Sequence, residues 1–218
     1  METLLQEKIA KNLEKIKGEI QGYNPTIVAV SKYYSAEHMV EAHRCGIRDF
    51  GESRVLDAIG KINDLDDETR LNSNYHFIGH LQTNKAKKAV GVFGLIHSIE
   101  SLELAKEISK HAQAAGVTQK VLIQVNNAFE QSKFGIAPSQ LESFLNQIRD
   151  LPDIEVEGLM NMAPFEAKEA DLRKYFRQMR ELKEAHGLRE LSMGMSNDYK
   201  IALDEGATII RLGRILFE

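Results

Sequence analysis

The sequence predicts a (β/α)8 barrel, and three observations carry that prediction. Eight short apolar runs recur along 218 residues, each joined to the next by a segment with helical spacing or a helix-start signal. Strands alternating with helices call for parallel pairing through right-handed crossovers. The units are evenly sized, and 218 residues lie at the short end of what eight of them require. A doubly wound open sheet is the competing arrangement, but no G-x-G-x-x-G follows the first strand. No Pro-, Gly- or Ser-rich linker, internal repeat or low-complexity tract divides the chain, so residues 1–218 are expected to form one domain.

Leu5, Ile9, Leu13, Ile16 and Ile20 recur at helical spacing, so the chain opens on an amphipathic helix. Thr26-Ile27-Val28-Ala29-Val30 then reads as a buried strand running out at Lys32. Ser35 can cap a helix lasting through Arg44, with Gly46 as its stop. Residues 48–52 form a second strand and 53–66 its helix. Tyr75 to Gly79 is a third strand, followed by a helix over 83–90. Val92 to Ser98 is the fourth, and the helix Leu102 to Ala115 after it stops at Gly116. Lys120 to Asn126 is the fifth, with a helix starting after Pro138. Val156 to Met162 is the sixth, followed by a long helix over 167–186. Leu191 to Met195 and Thr208 to Leu212 complete the eight, with a helix capped near Asn197 or Asp198 between them. The few residues after Arg214 leave no room for an eighth outer helix, so the N-terminal helix is expected to cover that part of the wall.

A net charge of -4 and a pI near 6.0 argue against a nucleic-acid binder or a polybasic membrane surface. Lys85, Lys87 and Lys88 read as a solvated helix face. Cys45 is the one cysteine, which excludes an intrachain disulfide and a cysteine-based zinc site. Beside Gly46 at a helix end, it reads as packing. No apolar h-region follows Met1 and no run of about 18 apolar residues occurs, so the expected location is the cytoplasm.

In such a barrel, chemistry gathers at the C-terminal ends of the strands. That rule sets Lys32, Glu52, His80, Asn126, Met162, Ser196 and Arg211 around one mouth. Strands one and eight become neighbours when the barrel closes, which brings Lys32 and Arg211 toward one pocket. Lys32 shares strand parity with Val28 and Val30. An amine at that mouth, partly desolvated and close to a cation, has a lowered pKa and attacks an aldehyde. Arg211 closes the apolar stretch 207–210, where a buried cation needs an electron-rich partner. Gly213 has no side chain to keep a ligand from nearby backbone N–H groups. The Ser196 hydroxyl, exposed amides and one guanidinium together suit a phosphorylated heterocycle. Each residue alone has a plainer reading. Lys32 would be a strand-end lysine reaching water, Arg211 a surface ion pair, and Asp198 a helix cap. His76 and His80 would be core or rim histidines, with no carboxylate at a metal-ligand spacing. Asp49 and Glu52 look like a paired-carboxylate site, but nothing upstream points to a glycoside groove.

Six stretches are informative together: Val28-Ala29-Val30-Ser31-Lys32, Phe50-Gly51-Glu52-Ser53-Arg54-Val55, the run from His76-Phe77-Ile78-Gly79 to Lys85, Gly158-Leu159-Met160, Ser192 to Asp198, and Arg211-Leu212-Gly213. Nearly end to end, the chain resembles the pyridoxal 5′-phosphate homeostasis protein family. The resemblance implies a barrel akin to the N-terminal domain of alanine racemase, with pyridoxal 5′-phosphate as cofactor. It further implies that Lys32 holds the cofactor covalently, that Ser196 and the N–H groups of Gly213 and Arg214 bind its phosphate, and that Arg211 faces the pyridine nitrogen. A guanidinium cannot accept a proton, so it leaves that nitrogen unprotonated and weakens the ring as an electron sink.

Two positions depart from the family pattern. Ser53 stands where Asn is usual, at a ring contact. Arg214 stands where Thr or Ser is common, its guanidinium a charge-assisted substitute for the lost hydroxyl. Two classes of function follow: a non-catalytic carrier acting in vitamin B6 and amino-acid balance, or a pyridoxal-phosphate-dependent amino-acid racemase. Racemisation needs a second base, which in racemases of this fold is usually a tyrosine on a C-terminal β domain of the partner subunit. No residues follow strand eight to build such a domain. Tyr33 and Tyr34, beside Lys32, are the remaining candidates. The expectation is a monomeric binder that is not an enzyme, with no metal and no nucleic-acid or membrane partner.

Overall fold

The computed structural model describes residues 3–128 and 134–218. Strands β1 (Thr26–Val30), β2 (Asp49–Glu52), β3 (Asn74–Phe77), β4 (Leu95–Ile99), β5 (Gln119–Gln124), β6 (Ile154–Met160), β7 (Glu190–Met195) and β8 (Ile209–Leu212) close into a barrel in that order. Every neighbouring pair is parallel, including β8 with β1. Around it run α1 (Leu4–Glu19), α2 (Ala36–Arg44), α3 (Val55–Asn63), α4 (Asp67–Leu71), α5 (Ala86–Ala89), α6 (Leu102–Ala115), α7 (Leu141–Ile148), α8 (Glu169–Ala185), α9 (Tyr199–Asp204) and α10 (Arg214–Phe217). The predicted fold class and the count of eight strands hold.

Strand alternation divides the apolar residues into two layers. Ala29, Phe50, Phe77, Ile96, Leu191 and Ile210 belong to the large cluster beneath the helices. Val28, Leu95, Leu122, Met160 and Ile209 form a separate cluster inside the barrel. The residues alternating with the outer layer include Asp49, His76, His97, Ser192 and Arg211, so the interior is part apolar and part polar.

Helix α1 covers the wall beside α10, as expected. Ile9 and Ile16 are fully buried on its inner face, and Asn12 Nδ2 donates to the Leu216 carbonyl at 3.0 Å. Glu19 accepts from the Tyr199 hydroxyl and from Lys200 Nζ. Cys45 is half-buried and faces the Gln6 carbonyl at 3.6 Å, a packing position. Among the described residues no helix is long and apolar enough to cross a membrane.

Local chemistry explains where the elements differ from expectation. The helix expected over 53–66 is the shorter α3, and an unexpected helix, α4, follows it because Asp66 caps its start by accepting from the Thr69 N–H at 2.7 Å. Strand four begins at Leu95 instead of Val92, since the N–H groups of Val92 and Phe93 turn back to the Ala89 carbonyl. Strand one ends at Val30, two residues before Lys32. Ser35 does occupy the N-cap of α2, but its hydroxyl pairs with His38 Nδ1 at 2.8 Å. Asp198 is the N-cap of α9, with its carboxylate accepting from the Met195 N–H at 2.5 Å.

Candidate functional site

Arg211 is the third residue of β8, level with Val28 of β1, and is only 4% exposed. Its guanidinium donates through Nη1 to Ser192 Oγ at 2.6 Å and through Nη2 to the Asn161 carbonyl at 2.8 Å. Burial pushes its pKa down to about 10, opposed by the Asp198 carboxylate, so it is a cation at neutral pH. A buried cation bonded to neutral groups retains an outward field, which favours an electron-rich ligand atom. Asn161 is fully buried, and its Oδ1 has no hydrogen-bond partner among the described residues while its Nδ2 donates to Asn127 Oδ1 at 3.2 Å.

Lys32 corrects one expectation. It lies in the turn after β1 and is exposed, with Nζ 4.8 Å from the centre of the Tyr33 ring, instead of being desolvated beside a cation. The backbone before it is fixed. Ser31 is fully buried and donates from Oγ to Glu52 Oε1 at 2.7 Å. Lys61 Nζ donates to that same carboxylate oxygen at 2.6 Å and to the Ser31 carbonyl at 2.7 Å. Glu52 therefore anchors the end of β1, and Asp49, on the same strand, bonds His76, so the two are not an acid/base pair.

At the seam between β7, β8 and β1, Ser196 is half-buried in the turn before α9, and Gly213 is the N-cap of α10. A Cβ at Gly213 would meet Val30 at 3.5 Å, an ordinary contact, so nothing in the chain itself requires a glycine there. Arg214 is exposed as the first residue of α10. Ser53 is half-buried after β2, and its backbone presses on Gly79 after β3. The structure thus gathers Ser196, Arg211, Gly213 and Arg214 on adjoining strand ends next to β1, with Ser53 one strand beyond.

Some residues at this end were not legible beforehand. Glu100, following β4, accepts from His80 Nδ1 at 2.9 Å, and burial raises its carboxyl pKa. The His80 ring stacks on Phe134 with centres 3.8 Å apart. His97 and Ser192 lie beneath Arg211 inside the barrel; Ser192 opens one of the six informative stretches, but its spacing gives no role for it, and His97 falls in none of them. Tyr34 points to the outer wall: its hydroxyl donates to Glu218 at 3.1 Å, its ring packs on Phe217, and burial raises its pKa. Tyr33 is 82% exposed. A surface groove lined by Leu145, Arg149, Val156 and His186 opens toward the opposite end of the strands and takes no part in this constellation.

Comparison with known proteins bears on this geometry. Residues 6–218 match the family model described as alanine racemase, N-terminal domain. A pyridoxal phosphate homeostasis protein of Aquifex aeolicus is 38% identical, over 97% of this chain and 96% of its own. One from Mus musculus is 31% identical over 98% of this chain and 83% of its own. The solved structure of PipY from Synechococcus elongatus without PLP is 37% identical, with a TM-score of 0.89 over 96% of this chain and all of that one. The structure of the same protein with PLP bound gives a TM-score of 0.85 at 36% identity. Alanine racemase of Clostridium difficile, at 17% identity and a TM-score of 0.75, shares the fold over 56% of its length.

Proposed function

We propose, for a chain that belongs to the pyridoxal phosphate homeostasis proteins and carries the alanine racemase N-terminal domain fold, that the barrel mouth binds pyridoxal 5′-phosphate and that the protein is a non-catalytic carrier in vitamin B6 and amino-acid balance. The residues present fit that group, and Arg211 is the observation that carries the reading. It is a buried cation with neutral hydrogen-bond partners beside an orphaned Asn161 Oδ1, at the end of the barrel where ligands bind. When bound, pyridoxal phosphate supplies an aldehyde that captures amines and a ring that withdraws electrons.

Lys32 supplies the amine, Ser196 and the N–H groups of Gly213 and Arg214 hold the phosphate, Arg211 holds the ring nitrogen without giving up a proton, and Ser53 borders the ring. The anchoring of Ser31 by Glu52 and Lys61 keeps the Lys32 backbone in place while the amine stays reachable. Every proposed contact comes from one barrel, which supports a monomer. Retention of cofactor at high dilution is the expected result, and its loss on dissociation of a dimer would contradict it. A cytoplasmic location, with neither nucleic acid nor membrane as partner, is supported by net charge -4 and the single half-buried thiol of Cys45.

Ser196→Ala tests the phosphate cup. Removing one hydroxyl from a dianion weakens retention about tenfold, roughly 1.4 kcal/mol, and leaves the melting temperature in place because Ser196 is only half-buried. Pyridoxal, which lacks the phosphate, should bind far more weakly than its phosphate ester. Equal affinity for the two would remove the cup.

The carrier reading has its own assay. A racemase needs a base on each face of the reacting carbon, and Tyr34 is turned to the outer wall with a raised pKa. The pure protein should therefore show no Lys32-dependent turnover of alanine or serine, followed as Cα proton exchange in deuterated water. Fast exchange with loss of optical activity would establish the racemase instead, and its disappearance in Tyr33→Phe or Tyr34→Phe would name the base.

A further inference from the structure

A continuous line of polar side chains crosses the barrel interior between Arg211 and the opposite end. Asp49, the first residue of β2, has its side chain 23% exposed, whereas His76, His97, Ser192 and Arg211 are all buried. Arg211 Nη1 lies 2.6 Å from Ser192 Oγ, and Ser192 Oγ lies 2.9 Å from His97 Nδ1. His97 Nε2 lies 3.0 Å from His76 Nδ1, and His76 Nε2 lies 3.0 Å from Asp49 Oδ1.

Donor and acceptor chemistry fixes the direction of this line. At one end the guanidinium only donates to Ser192 Oγ, and at the other the Asp49 carboxylate only accepts, so neutral rings between them each donate toward Asp49 and Ser192 gives its own proton to His97 Nδ1. A neutral imidazole with an accepting Nδ1 carries its proton on Nε2, and that proton points at His76 Nδ1. The same reasoning puts the His76 proton on Nε2, facing the Asp49 carboxylate, which also accepts from Asn74 Nδ2 at 3.0 Å. Every bond then runs from Arg211 toward Asp49, with a cation at the start and an anion at the end. An additional proton on His97 would have to sit on Nδ1, against the Ser192 hydroxyl proton. Burial first, and then the nearby Arg211 cation, holds the His97 pKa well below the ordinary imidazole value.

We infer that Asp49, His76, His97 and Ser192 form a one-way hydrogen-bonded relay that orients Arg211 and polarises it from the far end of the barrel, in addition to the nearby Asp198 carboxylate. A carboxylate bonded directly to Arg211 would neutralise its field where the ligand sits. The Asp198 carboxylate acts on Arg211 through space, and Asp49, at the far end of the polarised line Ser192–His97–His76, adds a second anion without occupying the side of the guanidinium that faces the mouth. These four are positioning residues. The relay itself needs no ligand, while its effect on a ring nitrogen rests on the proposed function.

Two measurements test it. In the ligand-free protein with 15N-labelled histidine, two-bond correlation spectra at pH 7 should show His76 and His97 in the Nε2–H form, assigned with His76→Gln and His97→Gln. Ser192→Ala should convert part of His97 to the Nδ1–H form, and Ser192→Thr should restore the original pattern. An Nδ1–H ring at either position in the unaltered chain, or an unmoved His97 in Ser192→Ala, would overturn the relay. In the pyridoxal-phosphate complex, Asp49→Asn keeps an acceptor for His76 but removes the charge. It should shift the cofactor absorbance maximum and weaken retention roughly fivefold, whereas Leu122→Val in the same interior should lower stability without a spectral shift. An unchanged spectrum in Asp49→Asn would end the polarising role. If the unaltered chain showed no cofactor band at all, the proposed function would fail, and the histidine pattern would still decide the relay.

Discussion

Lys32→Ala should abolish the absorbance band of lysine-bound pyridoxal phosphate and leave borohydride nothing to fix on the chain. The expectation rests on three features of β1. Its end is anchored by the Ser31–Glu52–Lys61 contacts, so residue 32 emerges at one place on the rim. Its neighbour across the closed seam is β8, which carries Arg211 and leads into Gly213 and Arg214. The amine itself is exposed, held at 4.8 Å from the Tyr33 ring centre by a weak cation–π contact that an incoming aldehyde can replace. Because the side chain packs against no core residue, its removal should move the melting temperature by only about a degree or two. Loss of the band then reports chemistry and not unfolding. In the unaltered protein, reduction and peptide mapping should find the cofactor on Lys32. An adduct on Lys85, in the turn after β3, would move the site away from the seam and refute the assignment.

How much of this was legible beforehand varies with the physics involved. Strand parity is local, so the inward side of β1 and its continuation through Val30 toward Lys32 could be read from residue spacing. The adjacency of β1 and β8 followed from closure alone. The exposure of Lys32 could not be read, since it depends on β1 ending at Val30 and on a turn that lays the amine over Tyr33. The start of α4 was written in the sequence as Asp66, but an aspartate among other acidic residues looks like a surface residue until its carboxylate is seen on the Thr69 N–H. His97 had a signal that residue type alone hides. In Leu95-Ile96-His97-Ser98-Ile99 it takes the parity of Leu95, an interior position, so an imidazole there required partners across the barrel. Those partners come from β3 and β7, and no local pattern names them. The pairing of His80 with Glu100 is of the same kind.

Gly79→Ala and Gly158→Ala should separate damage to the fold from damage to the site. A Cβ on Gly158 would stand 1.9 Å from the Glu190 carbonyl oxygen and 2.5 Å from its carbon, inside the backbone of the neighbouring strand. Neither β6 nor β7 can yield without losing ladder bonds, so the substitution should cost about 3–5 kcal/mol and lower the melting temperature by roughly 10 °C. Glu190 begins β7, at the end of the barrel away from the mouth. The fraction of Gly158→Ala that stays folded should therefore hold cofactor nearly as well as the unaltered chain. A Cβ on Gly79 would meet Ser53 instead, at 2.4 Å from its carbonyl oxygen and 2.8 Å from its Cα and Cβ. Ser53 lies in a connection between β2 and α3, which gives more readily, so the stability loss should be smaller, about 2 kcal/mol. What gives is a residue of the proposed ring contact, and retention of pyridoxal phosphate should fall about tenfold in fully folded Gly79→Ala. Melting curves and equilibrium dialysis on both variants decide the matter. Unimpaired retention in Gly79→Ala would show that Ser53 touches nothing that holds the cofactor, and a retention loss confined to Gly158→Ala would reverse the assignment of which end of the barrel binds.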